Sequence, residues 1–271
     1  MNFPNFQRLN VLTLATAVAL SVLLRPGIVA AGPGGSEAPE DQQLTVILVH
    51  GAWADGSSWN EVIPLLQKQG VKVVAVQNPL SSLADDVAAT QRVIDRQPGK
   101  VLLVGHSWGG VVISAVGNQS KVAGLIYVAA FAPADGESVN DLAANKELPS
   151  APGLAGIEPD AYGYLWMKPR NFGEHFAQDL AAAKTDLMAV TQKPIAARSF
   201  GDKVEKAAWR SKPSWYILAE QDHMIPLAAQ KLMASRAGAT VTSVNAGHAS
   251  MIAKADEVAA VIVSAAKSLR T

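Results

Sequence analysis

Residues 100–118 read Lys-Val-Leu-Leu-Val-Gly-His-Ser-Trp-Gly-Gly-Val-Val-Ile-Ser-Ala-Val-Gly-Asn. An apolar run rich in β-branched residues ends at Gly105, and a second apolar stretch with helical character begins at Trp108. The spacing predicts a strand over 100–105, a helix over 108–118 and a sharp turn between them. Ser107 stands on that turn. Gly105 and Gly109 flank it because a Cβ at either position would clash where strand and helix close on each other. A G-x-S-x-G pentapeptide alone is only moderately specific. Set between a buried strand and a helix, it makes Ser107 the candidate nucleophile, with the helix N-terminus adding partial positive charge nearby.

The same alternation extends in both directions. Strands are predicted over 44–50, 71–77 and 122–131, and helices over 57–69 and 83–96. Strands this uniformly apolar are buried on both faces, as in a parallel sheet between helix layers. The pattern stops at Pro133. About eighty residues then pass before the next strand, at 214–219, far more than a connecting loop needs. We expect a mostly helical cap insertion at about 133–213, with a turn-rich stretch at 149–159 and a helical pattern over 174–190. Alternation resumes with a helix over 227–235, a strand over 240–244 and a final helix over 256–269. The expected class is therefore α/β, a mostly parallel sheet with helices on both faces.

The N-terminal 31 residues read as a signal peptide: Arg8, an apolar run over 11–24, and small residues for cleavage after Ala30 or Ala31. A permanent anchor is disfavoured because the run is interrupted at Arg25-Pro26-Gly27 and a span needs about 20 apolar residues. Residues 32–43, rich in Gly, Pro and acid, form a flexible lead-in to a domain at 44–271. A secreted or periplasmic protein, free of the membrane after cleavage, is expected. The 23 basic residues balance the 23 acidic ones, which argues against nucleic acid as a partner. The chain has no cysteine, so disulfides, thiolate metal sites and a cysteine nucleophile are excluded.

A serine hydroxyl needs a base, and the base needs an orienting acid. His248 follows the strand at 240–244, where a loop can bring imidazole over the strand ends. His50, His106, His175 and His223 are less well placed. Asp222 directly follows the strand at 214–219 and is the leading acid, with Glu220 and Asp135 as rivals; Asp160 and Asp202 read as surface charges. Oxyanion donors are expected from the backbone N–H of Trp108 and, in the glycine-containing loop after the first strand, of Ala52. Trp53, Tyr162, Tyr164, Trp166 and Met167 are candidate walls of a substrate pocket between sheet and cap.

The segments HGAWADGSSW (50–59), GHSWGG (105–110), QDHMIP (221–226) and GHASM (247–251) occur in the order and spacing of a known group. From residue 44 onward the chain resembles the α/β-hydrolase superfamily, and more narrowly bacterial relatives of the plant methylesterases and hydroxynitrile lyases. The resemblance implies Ser107, Asp222 and His248 as a triad and Ala52 and Trp108 as oxyanion donors. Lyases of this group carry threonine where this chain has Gly51 and lysine where it has Ala249, so the expectation is hydrolysis of a small-molecule carboxylic ester. Haloalkane dehalogenases need aspartate in place of Ser107. The chemistry calls for no metal or organic cofactor. The alternative readings are cyanohydrin cleavage and a triad-retaining ligand-binding protein; peroxy-acid formation is a conceivable side activity.

Overall fold

Six parallel strands form the sheet of the computed structural model, which describes residues 44–270. The expected signal peptide at 1–31 and lead-in at 32–43 lie outside the described residues. Strands β1 (Thr45–Val49), β2 (Lys72–Ala75), β3 (Val101–His106) and β4 (Val122–Val128) come first. Three short strands follow, β5 (Ile157–Pro159), β6 (Tyr164–Met167) and β7 (Ile195–Ala196), and then β8 (Ser214–Ala219) and β9 (Thr240–Val244). The main sheet runs β2-β1-β3-β4-β8-β9.

The alternation of side chains along β1 explains why its sequence is apolar throughout. Val46 and Leu48 pack with Trp59, Leu66 and Ile262 on one face. Ile47 and Val49 pack with Leu103, Val112 and Tyr127 on the other. Each such side chain contributes roughly 1.5–3 kcal/mol by leaving water. Truncating fully buried Leu48 to alanine would cost about 2–5 kcal/mol. β9, at the sheet edge, leaves Thr240 to Ser243 exposed, which accounts for its polar composition.

Helices Val62–Lys68 and Ala255–Ser268 contribute to the first layer, and helices Leu83–Asp95 and Gly109–Val116 to the second. Ser82 caps the helix Leu83–Asp95, its Oγ accepting the Asp85 N–H at 3.1 Å, while Asp85 and Asp86 complement the helix dipole.

The segment between β4 and β8, the expected cap, has helices at Val139–Ala143 and Ala182–Thr191, a turn of π-helix at Phe172–Phe176 and short 3-10 turns, joined by irregular stretches. It also contains a three-stranded antiparallel sheet, β5-β6-β7, that the sequence pattern did not reveal. Arg236 forks onto the Glu137 carboxylate at 2.7 and 3.0 Å, tying the start of this segment to the helix Leu227–Arg236.

The chain runs from β1 outward to β2, then returns to place β3 on the other side of β1. Strand order therefore reverses between β1 and β3, and a crevice opens beyond their C-terminal ends. Ser107 follows β3 and the 50–59 loop follows β1, so both reach this crevice. Asp222 and His248 follow β8 and β9 on the same edge of the sheet.

Candidate active site

Ser107 has φ of 52°, the left-handed region that a residue with a side chain rarely adopts. Such strain persists only where the surroundings impose it, and here the close approach of strand and helix does so. A Cβ on Gly109 would collide with the Val49 carbonyl. The Ser107 carbonyl accepts from Gly110 N at 3.0 Å and Phe131 N at 3.1 Å, fixing the turn from two directions. The first-strand loop passes equally close: a Cβ on Gly51 would lie 2.7 Å from the Ser107 Cβ.

His248 and Asp222 meet in the interior. Imidazole Nδ1 stands 2.9 Å from Asp222 Oδ2, with the His and Asp side chains 1% and 0% exposed. The carboxylate also accepts from Met224 N at 2.7 Å, Ile225 N at 2.9 Å and Gln230 Nε2 at 2.9 Å. Four donors converge on it, so it is held as a fixed acceptor that orients the ring and leaves Nδ1 as the protonated nitrogen. Nε2 of His248 is buried and has no hydrogen-bond partner among the described residues, Ser107 Oγ included. Catalytic hydrogen bonds of this kind commonly tighten only when substrate binds.

Two backbone amides complete the arrangement. Ala52 and Trp108 are 1% and 0% exposed, and among the described residues neither amide N–H donates to another group. Buried, unpaired N–H groups are rare and call for an explanation. Trp108 is anchored from behind. Its indole N–H donates to Asp86 Oδ2 at 2.8 Å, and Asp86 Oδ1 accepts from Leu80 N at 2.7 Å. Burial holds the Asp86 carboxyl above its usual range.

The remaining histidines have other places. His50 is fully buried between two backbone groups, donating from Nδ1 to the Gly51 carbonyl at 2.9 Å and accepting from Asn78 N at Nε2 at 2.9 Å. Burial lowers its pKa to about 4. His106 Nε2 donates to the His248 carbonyl at 2.9 Å, and the two rings lie 4.7 Å apart. Burial, with the neighbouring His248, holds His106 neutral, its pKa well below the ordinary value. His175 and His223 face each other at the edge of the cap, Nδ1 to Nδ1 at 3.2 Å.

Of the rival acids, Glu220 is exposed. Asp135 binds Ala207 N at 2.7 Å and Arg210 at 2.9 Å, away from His248. Asp202 is not a mere surface charge, since it accepts the Leu83 N–H at 2.9 Å at the start of a helix. Asp160 organises the β5-β6 hairpin by accepting from Tyr162 N, Tyr164 N and the Trp166 indole.

The candidate wall residues divide. Trp53 is buried and donates its indole N–H to the Leu165 carbonyl at 2.9 Å, joining the 50–59 loop to β6. Met167 is buried as well. Tyr162, 89% exposed, and Trp166, 37% exposed, stand on the outside of the hairpin, and Tyr164 is half-buried. Beside Trp53, two further aromatic rings that the sequence reading missed pack against the candidate residues. Phe176 sits edge-on to His248 at 5.0 Å, and Phe200 lies 5.8 Å from Trp108; both also flank Trp53, at 6.4 and 6.2 Å. Gln230 was missed too, since a glutamine on an otherwise ordinary helix carries no local sign that it supports an acid eight residues earlier.

A family model described as "Alpha/beta hydrolase family" matches residues 46–261. Among curated proteins, the pyrethroid hydrolase of Sphingobium wenxiniae is 28% identical over 230 residues, covering 75% of this chain and 81% of that protein. Putative methylesterase 11, chloroplastic, of Arabidopsis thaliana is 24% identical over 219 residues, 69% of this chain and 54% of that protein. Among solved structures, a pyrethroid hydrolase from Sphingobium faniae JZ-2 superposes with a TM-score of 0.70 at 24% identity, covering 83% of this chain and 98% of that one.

Proposed function

Since the chain belongs to the alpha/beta hydrolase family, whose members similar to it are named hydrolases and esterases, we propose that it cleaves carboxylic esters through an acyl-enzyme on Ser107. The observation that supports this reading is the buried Asp222–His248 pair, whose imidazole Nε2 has no partner among the described residues, on the same edge of the sheet as the strained Ser107 turn.

His248 Nε2 takes the Ser107 hydroxyl proton as Oγ bonds to the ester carbonyl carbon. The carbonyl oxygen becomes an oxyanion and is held by the Ala52 and Trp108 amides, which have no competing partner to surrender. Collapse breaks the bond to the alcohol oxygen, and the imidazolium protonates the departing alcohol. Water, deprotonated by His248, then attacks the acyl carbon; the bond to Ser107 Oγ breaks, the imidazolium returns its proton to Oγ, and the acid is released. Asp222 holds the tautomer and offsets the imidazolium charge throughout.

The substrate class is a small, largely apolar ester. Trp53, Phe176 and Phe200 line the inner side of the site. Beside Trp53 a groove of about 300 Å³ runs between the 53–61 segment and the helix Ala182–Thr191, with Leu187, Met188 and Ile252 on its walls. The triad residues do not line this groove, which meets the candidate site only through Trp53. The leader at 1–31 directs export by its sequence, and N-terminal sequencing of the secreted form would show a start near residue 32. Turnover of nitrophenyl acetate and butyrate by the wild type, lost in Ser107→Ala, is the expected outcome. Absence of wild-type turnover, or undiminished turnover by the variant, would overturn the reading.

A further inference from the structure

A single turn of the cap, residues 174–179, holds the neighbours of both the acid and the base. On the acid loop, Gln178 Nε2 donates to the carbonyl of Gln221, immediately before Asp222, at 2.6 Å. Immediately after Asp222, His223 Nδ1 lies 3.2 Å from the Glu174 carbonyl and 3.2 Å from His175 Nδ1. On the base loop, Asp179 Oδ2 accepts the N–H of Gly247, immediately before His248, at 2.8 Å. Immediately after it, Ala249 N donates to the Phe176 carbonyl at 3.1 Å.

Each of the two residues is thus tied on both sides to the same cap turn, while the ring of Phe176 rests on the imidazole itself. Gly247 is buried, and a Cβ there would stand 2.6 Å from the Gln178 carboxamide, so the turn and the base loop are in full contact. The turn's geometry is unusual in the way this contact requires. It is π-helical to Phe176, and Ala177 then leaves helical space at φ −142° and ψ 44°, which turns Gln178 and Asp179 toward the two loops. Asp179 is itself exposed. It has no burial of its own to gain, and its carboxylate satisfies a buried amide next to His248.

We infer that this turn is the jig that sets His248 and Asp222 against Ser107, with Asp179 and Gln178 as positioning residues, so that seating of the cap and orientation of the base are one event. The inference rests on the ester-hydrolase reading above. An imidazole displaced by a fraction of an ångström loses alignment with both the serine proton and the leaving group, and losses of rate on the order of tenfold to a hundredfold follow from such misplacement.

The test is steady-state kinetics on nitrophenyl acetate with wild type, Ser107→Ala, Asp179→Ala, Asp179→Asn and Gln178→Ala, each with its thermal midpoint. Asp179→Ala is expected to lose at least roughly tenfold in kcat with KM within about twofold. Asp179→Asn, whose Oδ1 still accepts the Gly247 N–H, is expected to recover most of the loss. Wild-type kcat in Asp179→Ala with only a lowered melting temperature, or an Asn variant as impaired as Ala, would overturn the inference. If Asp179→Ala does not fold, Gln178→Ala carries the same criterion from the acid side. A wild type without Ser107-dependent turnover brings down the ester-hydrolase reading first; Ser107-dependent turnover indifferent to Asp179 and Gln178 brings down this inference alone.

Discussion

Asp222 and His248 form a 2.9 Å contact in which neither side chain is exposed by more than 1%. The pair is supported by three further donors on the carboxylate, from Met224, Ile225 and Gln230. Asp222→Asn turns an NH2 group toward at least one of these donors and offers His248 the wrong tautomeric partner. Activity should fall by roughly 10³–10⁴ in kcat. Asp135→Asn, affecting a carboxylate engaged with Ala207 and Arg210, should leave kcat unchanged. Comparing the two variants on one ester settles which acid orients the base; equal activities would reject Asp222.

Gly51 and Ser107 approach so closely that any side chain at position 51 meets the serine. Gly51→Thr should therefore lower kcat by about a hundredfold or more. It should also yield no cyanohydrin cleavage, because Ala249 still occupies the position where related lyases carry lysine. Measuring nitrophenyl ester turnover and cyanide release from mandelonitrile checks both halves. Cyanide release by the variant would show that Gly51 was what kept the site from lyase chemistry.

Phe176 is fully buried between Trp53, His106 and His248. Phe176→Ala should cost about 3–5 kcal/mol of stability through the cavity it leaves. The same cavity enlarges the space over the imidazole, so the ratio of kcat/KM for octanoate over acetate esters should rise. An unchanged ratio would show that Phe176 does not limit the acyl group the site accepts.

Much of the candidate site was legible because its parts are local. Ser107, Asp222 and His248 each follow a strand within a few residues, and a strand end flanked by glycine or a turn can be read from neighbouring letters. The cap was not local in that sense. One helical pattern over 174–190 covered two pieces, a π-helical turn ending at Phe176 and a helix beginning at Ala182, and apolar periodicity alone does not register the break between them. The cluster Tyr162, Tyr164 and Trp166 reads as a pocket wall, yet Tyr162 and Trp166 are exposed and Asp160 secures the Trp166 indole on the outside of the hairpin. Phe176, Phe200, Gln178 and Asp179 meet the candidate site or its loops only through tertiary contacts with segments far away in sequence, and Gln230, eight residues from Asp222, meets it from a helix whose pattern gives no sign of the contact.

His50 supplies a pH dependence of stability. Its pKa is about 4 in the folded chain against an ordinary 6.5, because burial disfavours the charged ring. Between these values the unfolded chain binds the proton and the folded one does not. Stability is therefore full above about pH 6.5 and falls as pH drops toward 4, by a total of about 3 kcal/mol from this residue. His106, held well below its ordinary value, acts in the same direction. Urea midpoints between pH 7 and 4 should fall less steeply in His50→Gln than in wild type. Parallel curves would show that His50 is not the source.

The most direct test of the account is covalent. Intact mass and peptide mapping after exposure to a fluorophosphonate should show one phosphonyl adduct, formed as Ser107 Oγ displaces fluoride, and Ser107→Ala should remain unmodified. Failure of wild type to label, or an adduct that maps elsewhere and persists in Ser107→Ala, would contradict Ser107 as the activated nucleophile.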